Sequence, residues 1–120
     1  MYAWELRMGD KKFKLRKLNQ QCQEALKSKN FAKLIDCYEK FFELTKDYHY
    51  KQEIANIQYK VFRNIEKAAE IYNEISSHLQ TESSFWWQYF EIQANLNKTY
   101  DAVSCVHNAI KLELNTKRVV

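Results

Sequence analysis

The sequence predicts an all-α fold of three tandem antiparallel helix-turn-helix repeats, and three observations lead to it. The chain has no Pro and only one Gly, so it lacks the turn residues that a sheet-rich fold needs at its corners. Apolar residues are spaced three and four apart, which is typical of a helix with one buried face. Matching positions recur every 34 residues, which indicates a stack of similar units: Leu34, Ala68 and Ala102, and then Phe41, Ile75 and Ala109.

The first hairpin is predicted from residues 11–27 and 31–46, joined by the polar turn at residues 28–30. Its second helix carries an apolar stripe that indicates one buried face: Leu34, Cys37, Tyr38, Phe41 and Leu44. Residues 1–10 lie outside the period and are predicted to be an N-terminal arm. Whether this arm is a short helix, a loose segment or a cloning remnant stays open.

The second hairpin is predicted from residues 50–62 and 65–79. Its first helix shows two apolar stripes, as expected in the middle of a stack, where both flanks are covered: Ile54, Ile57 and Val61, and Ala55, Tyr59 and Phe62. Its second helix buries one stripe: Ala68, Ile71, Tyr72 and Ile75.

The third hairpin is predicted from residues 84–96 and 99–114, with Ser83 or Ser84 as the N-cap of its first helix. The repeat domain as a whole is predicted to span residues 11–120. The last helix should expose Val103, Val106 and Ile110, which a partner, a second copy in a homodimer or the rest of a longer protein would cover.

The composition is that of one soluble domain, with 120 residues, 46% hydrophobic and 28% charged. No stretch is apolar enough for a membrane span or a signal peptide, so the expected location is the cytoplasm, with no membrane partner. Three widely separated cysteines, Cys22, Cys37 and Cys105, fit reduced thiols that face the core.

The periodic residues resemble the tetratricopeptide repeat, a helix-turn-helix of 34 residues. The third hairpin matches best, with Trp86 in the first helix and Ala102 in the second. The usual Gly is replaced by Cys22, Asn56 and Phe90, and the closing Pro by Tyr48, Glu82 and Leu114. The resemblance covers about residues 15–115 and implies a short right-handed α-solenoid. It also implies that the first helices line a concave groove, in which a peptide or helix of a partner protein binds.

The groove positions that the resemblance implies come from all three first helices: Arg16, Asn19, Gln23 and Lys27; Tyr50, Glu53, Ile57 and Lys60; Trp87, Glu91 and Asn95. The cations among them would meet acidic groups, while Tyr50, Ile57 and Trp87 would bury apolar anchors. Trp86 lies on the apolar stripe and is predicted to pack between helices. For Trp87 two interpretations stay open: a groove-facing anchor, or a side chain packed on Tyr50.

No catalytic function, cofactor or metal is expected. The three histidines are 29 residues apart, no Cys-x-x-Cys occurs, and the single Gly excludes a glycine-rich phosphate loop. The sequence therefore favours a non-catalytic protein-binding scaffold or adaptor. Structural self-assembly through the last helix is an alternative.

A basic patch forms the other notable feature: Lys11, Lys12, Lys14, Arg16 and Lys17. It fits a solvated helix face, an acidic protein partner or nucleic-acid phosphate. Residues 1–30 carry a net charge of +5, whereas the other 90 residues carry −1. Because no long basic stripe follows, an acidic protein is favoured over nucleic acid.

Overall fold

Six α-helices make up residues 3–118, the part of the chain that the computed structural model describes. These residues contain no strand, which confirms the all-α prediction. Side chains are described from residue 9 to residue 115. The helices are α1 (Ala3–Lys27), α2 (Phe31–Thr45), α3 (His49–Lys60), α4 (Ile65–Leu79), α5 (Ser83–Asn95) and α6 (Thr99–Arg118).

The helix boundaries follow the period of the sequence. Helices α2, α4 and α6 begin at residues 31, 65 and 99, and α3 and α5 begin at residues 49 and 83, so like helices start 34 residues apart. The turn before each second helix contains a residue in the left-handed region, Lys29, Arg63 and Asn97, with φ of 58°, 58° and 59°. This conformation is common just after a helix end, although it usually falls to Gly.

Asparagine caps two of the second helices. The Asn30 side chain accepts from the Lys33 N–H at 3.2 Å, and the Asn64 side chain accepts from the Lys67 N–H at 3.3 Å. Each cap satisfies one of the backbone donors that a helix leaves free at its first turn. At the start of α5 the N-cap residue is Glu82, and it makes no side-chain capping bond, so the prediction of Ser83 or Ser84 was wrong.

Two helices are longer than predicted. Helix α1 begins at Ala3, so residues 3–10 continue the first helix, while Met1 and Tyr2 lie outside the described residues. Gly9 lies within this helix although Gly is a weak helix former, and nothing packs within 4 Å of the place where a Cβ would be, so no close contact requires a glycine there. Helix α6 continues to Arg118, since no Pro or Gly follows the predicted end at residue 114.

The core consists of two clusters, one shared by α1, α2 and α3 and the other by α3 to α6. It buries the periodic positions predicted from the sequence. Val61 and Phe62, predicted to be core residues, are exposed because α3 ends at Lys60 and they belong to the turn. The three cysteines are buried free thiols, as expected from the sequence. Burial raises the pKa of Cys22 to about 12, with a further contribution from its hydrogen bond with Cys37.

Each helix packs mainly against its neighbours in the sequence, from α1 on α2 to α5 on α6. The molecule measures 55 × 38 × 22 Å, with a radius of gyration of 17.3 Å. A compact domain of this length would have a radius of gyration of about 14 Å. The fold is therefore an elongated slab rather than a sphere, and its helices present long open faces.

Candidate partner-binding surface

Hydrogen bonds between side chains join α3 directly to α5. Gln52 Nε2 donates to Gln88 Oε1 at 3.1 Å, and Asn56 Nδ2 donates to the same oxygen at 3.3 Å. The hydroxyl of Tyr72, from α4, lies 2.7 Å from both Asn56 Oδ1 and Gln88 Oε1 and accepts from Gln52 Nε2 at 3.3 Å. We call these four residues the α3–α5 network. Burial raises the pKa of Tyr72 far above its ordinary value, so its hydroxyl keeps its proton.

A second set of bonds joins the C-terminal ends of the same two helices. The Tyr59 hydroxyl donates to Glu91 Oε1 at 3.3 Å, and Asn95 Nδ2 donates to the Tyr59 oxygen. Partial burial and the nearby Glu91 carboxylate raise the pKa of Tyr59. Together with the α3–α5 network, these bonds fix the relative position of α3 and α5 at two levels along the helices.

Trp87, on α5, has 37% of its surface exposed. Its indole N–H donates to Glu113 Oε1 of α6 at 2.8 Å, and its ring meets Phe90 edge-on with centroids 6.3 Å apart. Tyr50 instead stacks on Phe41, with ring centroids 4.9 Å apart. The Trp87 ring therefore contacts Phe90 of its own helix rather than Tyr50. By contrast, Trp86 packs against the core and donates to the Gln80 carbonyl at 2.9 Å, as predicted.

Nine of the eleven predicted groove residues have exposed side chains: Arg16, Asn19, Gln23, Lys27, Glu53, Lys60, Trp87, Glu91 and Asn95. Tyr50 is half-buried by its stacking on Phe41. Ile57 is only 8% exposed and packs in the cluster shared by α1, α2 and α3. The expectation that Ile57 contacts a partner is therefore corrected. The position faces the gap between neighbouring helices, which needs an apolar side chain there.

The basic patch lies on α1, and all five of its side chains are exposed: Lys11, Lys12, Lys14, Arg16 and Lys17. Lys14 Nζ pairs with Asp10 Oδ2 at 3.2 Å, one turn earlier in the helix. Since both groups are largely exposed, this pair is worth a fraction of a kcal/mol, on the order of 0.3–0.5. The patch is a charged, hydrated surface that keeps most of its positive charge.

A histidine bridges two of the turns. His49 Nδ1 lies 2.7 Å from Asp47 Oδ1, and its Nε2 lies 2.8 Å from Glu82 Oε2. Hydrogen bonds to Glu82 and then to Asp47 raise the pKa of His49. The bridge ties the turn before α3 to the turn before α5, next to Tyr48, whose ring stacks on His78 at 3.7 Å.

Sequence reasoning missed both the α3–α5 network and the histidine bridge. A signal for the network was present: Gln52 and Asn56 are one turn apart on the same face of α3, next to the apolar residues Ile54 and Ala55. Polar side chains at such buried positions need partners from a neighbouring helix. The partner Gln88 lies 36 residues after Gln52, so no local pattern identifies it.

A cleft of about 860 Å³ is lined by residues of α4, α5 and α6. Its lining has mixed charge and includes Glu66, Glu70 and Asp101 together with Lys67 and Lys98. The described residues contain no group of three or more His, Cys, Asp or Glu side chains placed to hold a metal ion. Within residues 3–118, no helix combines the length and apolar character needed to cross a membrane.

Comparisons of the chain with protein-family models, with curated proteins and with solved structures found no match. The resemblance to tetratricopeptide repeats therefore depends on the periodic residues alone.

Proposed function

We propose that this chain is a non-catalytic protein-binding module made of three tetratricopeptide-like hairpins in a short right-handed solenoid. In this arrangement α1, α3 and α5 line one concave surface, on which a peptide or helix of a partner protein binds. The observation that carries the proposal is the pair of hydrogen-bonded links between α3 and α5. The 34-residue spacing of the helix starts and the elongated shape support it.

The links between α3 and α5 matter for binding because they hold the exposed side chains at fixed spacing before a partner arrives. A surface that is already ordered loses little conformational entropy on binding, so more of the contact free energy appears as affinity. Glu53 and Glu91 offer carboxylate acceptors, while Lys27 and Lys60 offer cations at the ends of their helices. Three buried free thiols are compatible with a reducing compartment such as the cytoplasm.

Trp87 is the anchor residue of the proposed surface. A half-exposed tryptophan whose N–H is already bonded presents a rigid apolar ring, and such residues often dominate the energy of an interface. Its bond to Glu113 fixes the ring orientation, so a partner meets one defined shape.

The test compares Trp87→Ala with Tyr100→Ala for capture of a partner from the native cell extract, identified by mass spectrometry. Tyr100 is a matched control because it is an exposed aromatic residue on α6, outside the proposed groove. We expect Trp87→Ala to weaken capture by about 30-fold, equivalent to about 2 kcal/mol, and Tyr100→Ala to leave it unchanged. Equal capture by both variants, with circular dichroism showing that both fold, would refute the groove assignment.

One observation favours structural self-assembly as a second candidate function. Helix α6 exposes Val103, Ile110 and Leu114, at 49%, 43% and 54% of their surface, whereas Val106, predicted to be exposed with them, is half-buried. An apolar stripe of this kind is suited to pairing with a second copy. Light scattering across a concentration series tests this function. Self-assembly is supported if the mass doubles with concentration and if the substitution Val103→Glu returns it to the monomer value.

A further inference from the structure

A shallow cleft of about 370 Å³ lies between α1 and α2, on a face that does not include the α3–α5 network. Leu18 and Leu44 form its apolar floor. Its rim carries three ammonium groups, those of Lys14, Lys17 and Lys40, against the single carboxylate of Glu43. We call this the α1–α2 cleft; Lys14 also pairs with Asp10 on its outer side.

In the next hairpin, the positions equivalent to Lys14 and Lys17 pack against the preceding helix. Residues 34 positions after Lys14 and Lys17 are Tyr48 and Lys51, and both contact Phe42 of the preceding helix α2. The Tyr48 ring meets Phe42 with centroids 4.9 Å apart, and Lys51 Nζ lies 4.9 Å from the centre of the same ring.

In the third hairpin, too, this surface of the first helix packs on the preceding helix, although on a different position of that helix. Counted 68 positions after Lys17 and Gln21, Phe85 and Tyr89 pack on Tyr72 of the preceding helix α4, with ring centroids 5.1 and 5.5 Å apart. In both later hairpins, therefore, the equivalent surface of the first helix carries a helix packed on it. Among the described residues, no helix precedes α1 to fill this place.

We propose that the α1–α2 cleft binds an amphipathic helix of a partner protein, one with an apolar stripe flanked by Asp and Glu. The apolar stripe would cover Leu18 and Leu44, and the acidic flanks would meet Lys17 and Lys40. Complementary charge across such a rim speeds association and selects against basic partners. This docking surface is separate from the proposed groove, so an experiment can refute the proposal for one surface without refuting the proposal for the other.

Charge also argues against a second copy of this chain as the occupant. Helix α6, which has an exposed apolar stripe, contains Asp101 and Glu113 but also Lys111, Lys117 and Arg118. With two acidic and three basic residues, α6 is not predominantly acidic, so it matches the lysine rim less well than a helix flanked on both sides by Asp and Glu.

The test uses two synthetic helical peptides of about 18 residues, or five turns, with the same leucine stripe at helical spacing. One carries Glu on its flanks and the other Lys. Fluorescence anisotropy with the full chain measures affinity, and amide NMR shifts locate the site. We expect the Glu peptide to bind at least about tenfold tighter than the Lys peptide and to weaken as salt rises from about 50 to about 300 mM.

Charge reversal separates this cleft from other basic surfaces. The double variant Lys17→Glu, Lys40→Glu should weaken binding of the Glu peptide roughly tenfold. The matched control Lys111→Glu, on α6, should leave it unchanged. All three lysines are exposed, so the variants should fold, and circular dichroism checks this. Equal affinity for the two peptides, no binding of either, or shifts confined to α3 and α5 would overturn the proposal. So would a concentration-dependent increase in mass of the chain that the double variant abolishes, because it would identify a second copy as the occupant.

Discussion

Removing the Tyr72 hydroxyl tests whether the α3–α5 network stabilises the fold. In Tyr72→Phe the ring keeps its stacking on Phe85, so the packing of the core is preserved. The variant loses one donated and one accepted hydrogen bond at a buried position, since the hydroxyl lies between Gln52, Asn56 and Gln88. Each such bond contributes about 0.5–1.5 kcal/mol net. Water can reach the partly exposed Asn56, so we expect a loss of about 1–2 kcal/mol in the free energy of unfolding.

This loss can be measured as a change in melting temperature. Unfolding entropy is about 2.1 cal/mol/K per residue near 60 °C, which gives about 0.25 kcal/mol/K for this chain. A loss of 1–2 kcal/mol therefore lowers the melting temperature by about 4–8 °C in calorimetry or circular dichroism.

The control is Tyr59→Phe, which removes a hydroxyl that also bridges α3 and α5, but at an exposed position. Water replaces its bonds, so the expected change is below about 0.5 kcal/mol. If the two variants melt within about 1 °C of each other, the network does not stabilise the fold and the reasoning from burial is wrong.

Three further predictions concern His49, Arg63 and two of the cysteines. His49→Gln should cost about 0.3–0.5 kcal/mol at pH 6, a small value because the ring is largely exposed. Because the pKa of His49 is raised in the folded state, this stabilisation is complete below about pH 6.5 and disappears as the pH rises through the folded-state pKa. If urea titrations show that the stability difference between wild type and His49→Gln grows with pH, the bridge with Glu82 is contradicted. Arg63→Gly should stabilise the chain by about 0.5–1 kcal/mol in urea unfolding, because Gly adopts the left-handed conformation without strain; a loss would show that the Arg63 side chain contributes more than the strain costs. Burial raises the pKa of Cys22 to about 12 and that of Cys105 to about 11, so both thiols should react with a disulfide reagent only when urea unfolds the chain; rapid labelling of the native protein would contradict their burial.

The sequence predicted the helices and the periodic core well because both depend on local spacing. Ala68 and Tyr72 lie one turn apart on the same face of α4, and any packed helix with that pattern buries them. The ends were predicted less well. Val61 and Phe62 continue the apolar pattern of α3, but the left-handed Arg63 that follows requires the chain to turn, so the helix stops at Lys60.

The candidate surface was predicted only in part. The exposure of Glu53 and Glu91 follows from the helical spacing, which the sequence contains. The burial of Ile57 depends on how closely α1 and α2 approach α3, and the bonds of Gln88 depend on the register between α3 and α5. Both are distances between separate helices, which a pattern along one helix does not encode.

The packing of each helix on its neighbours in sequence also determines how the molecule would come apart. Because the helices of residues 3–118 pack mainly on their neighbours in sequence, we expect a pulling force on the two ends to separate adjoining helices in turn. In an optical trap the chain should lengthen in several small steps, each the unravelling of one hairpin, and should refold quickly because its contacts are short-range in sequence.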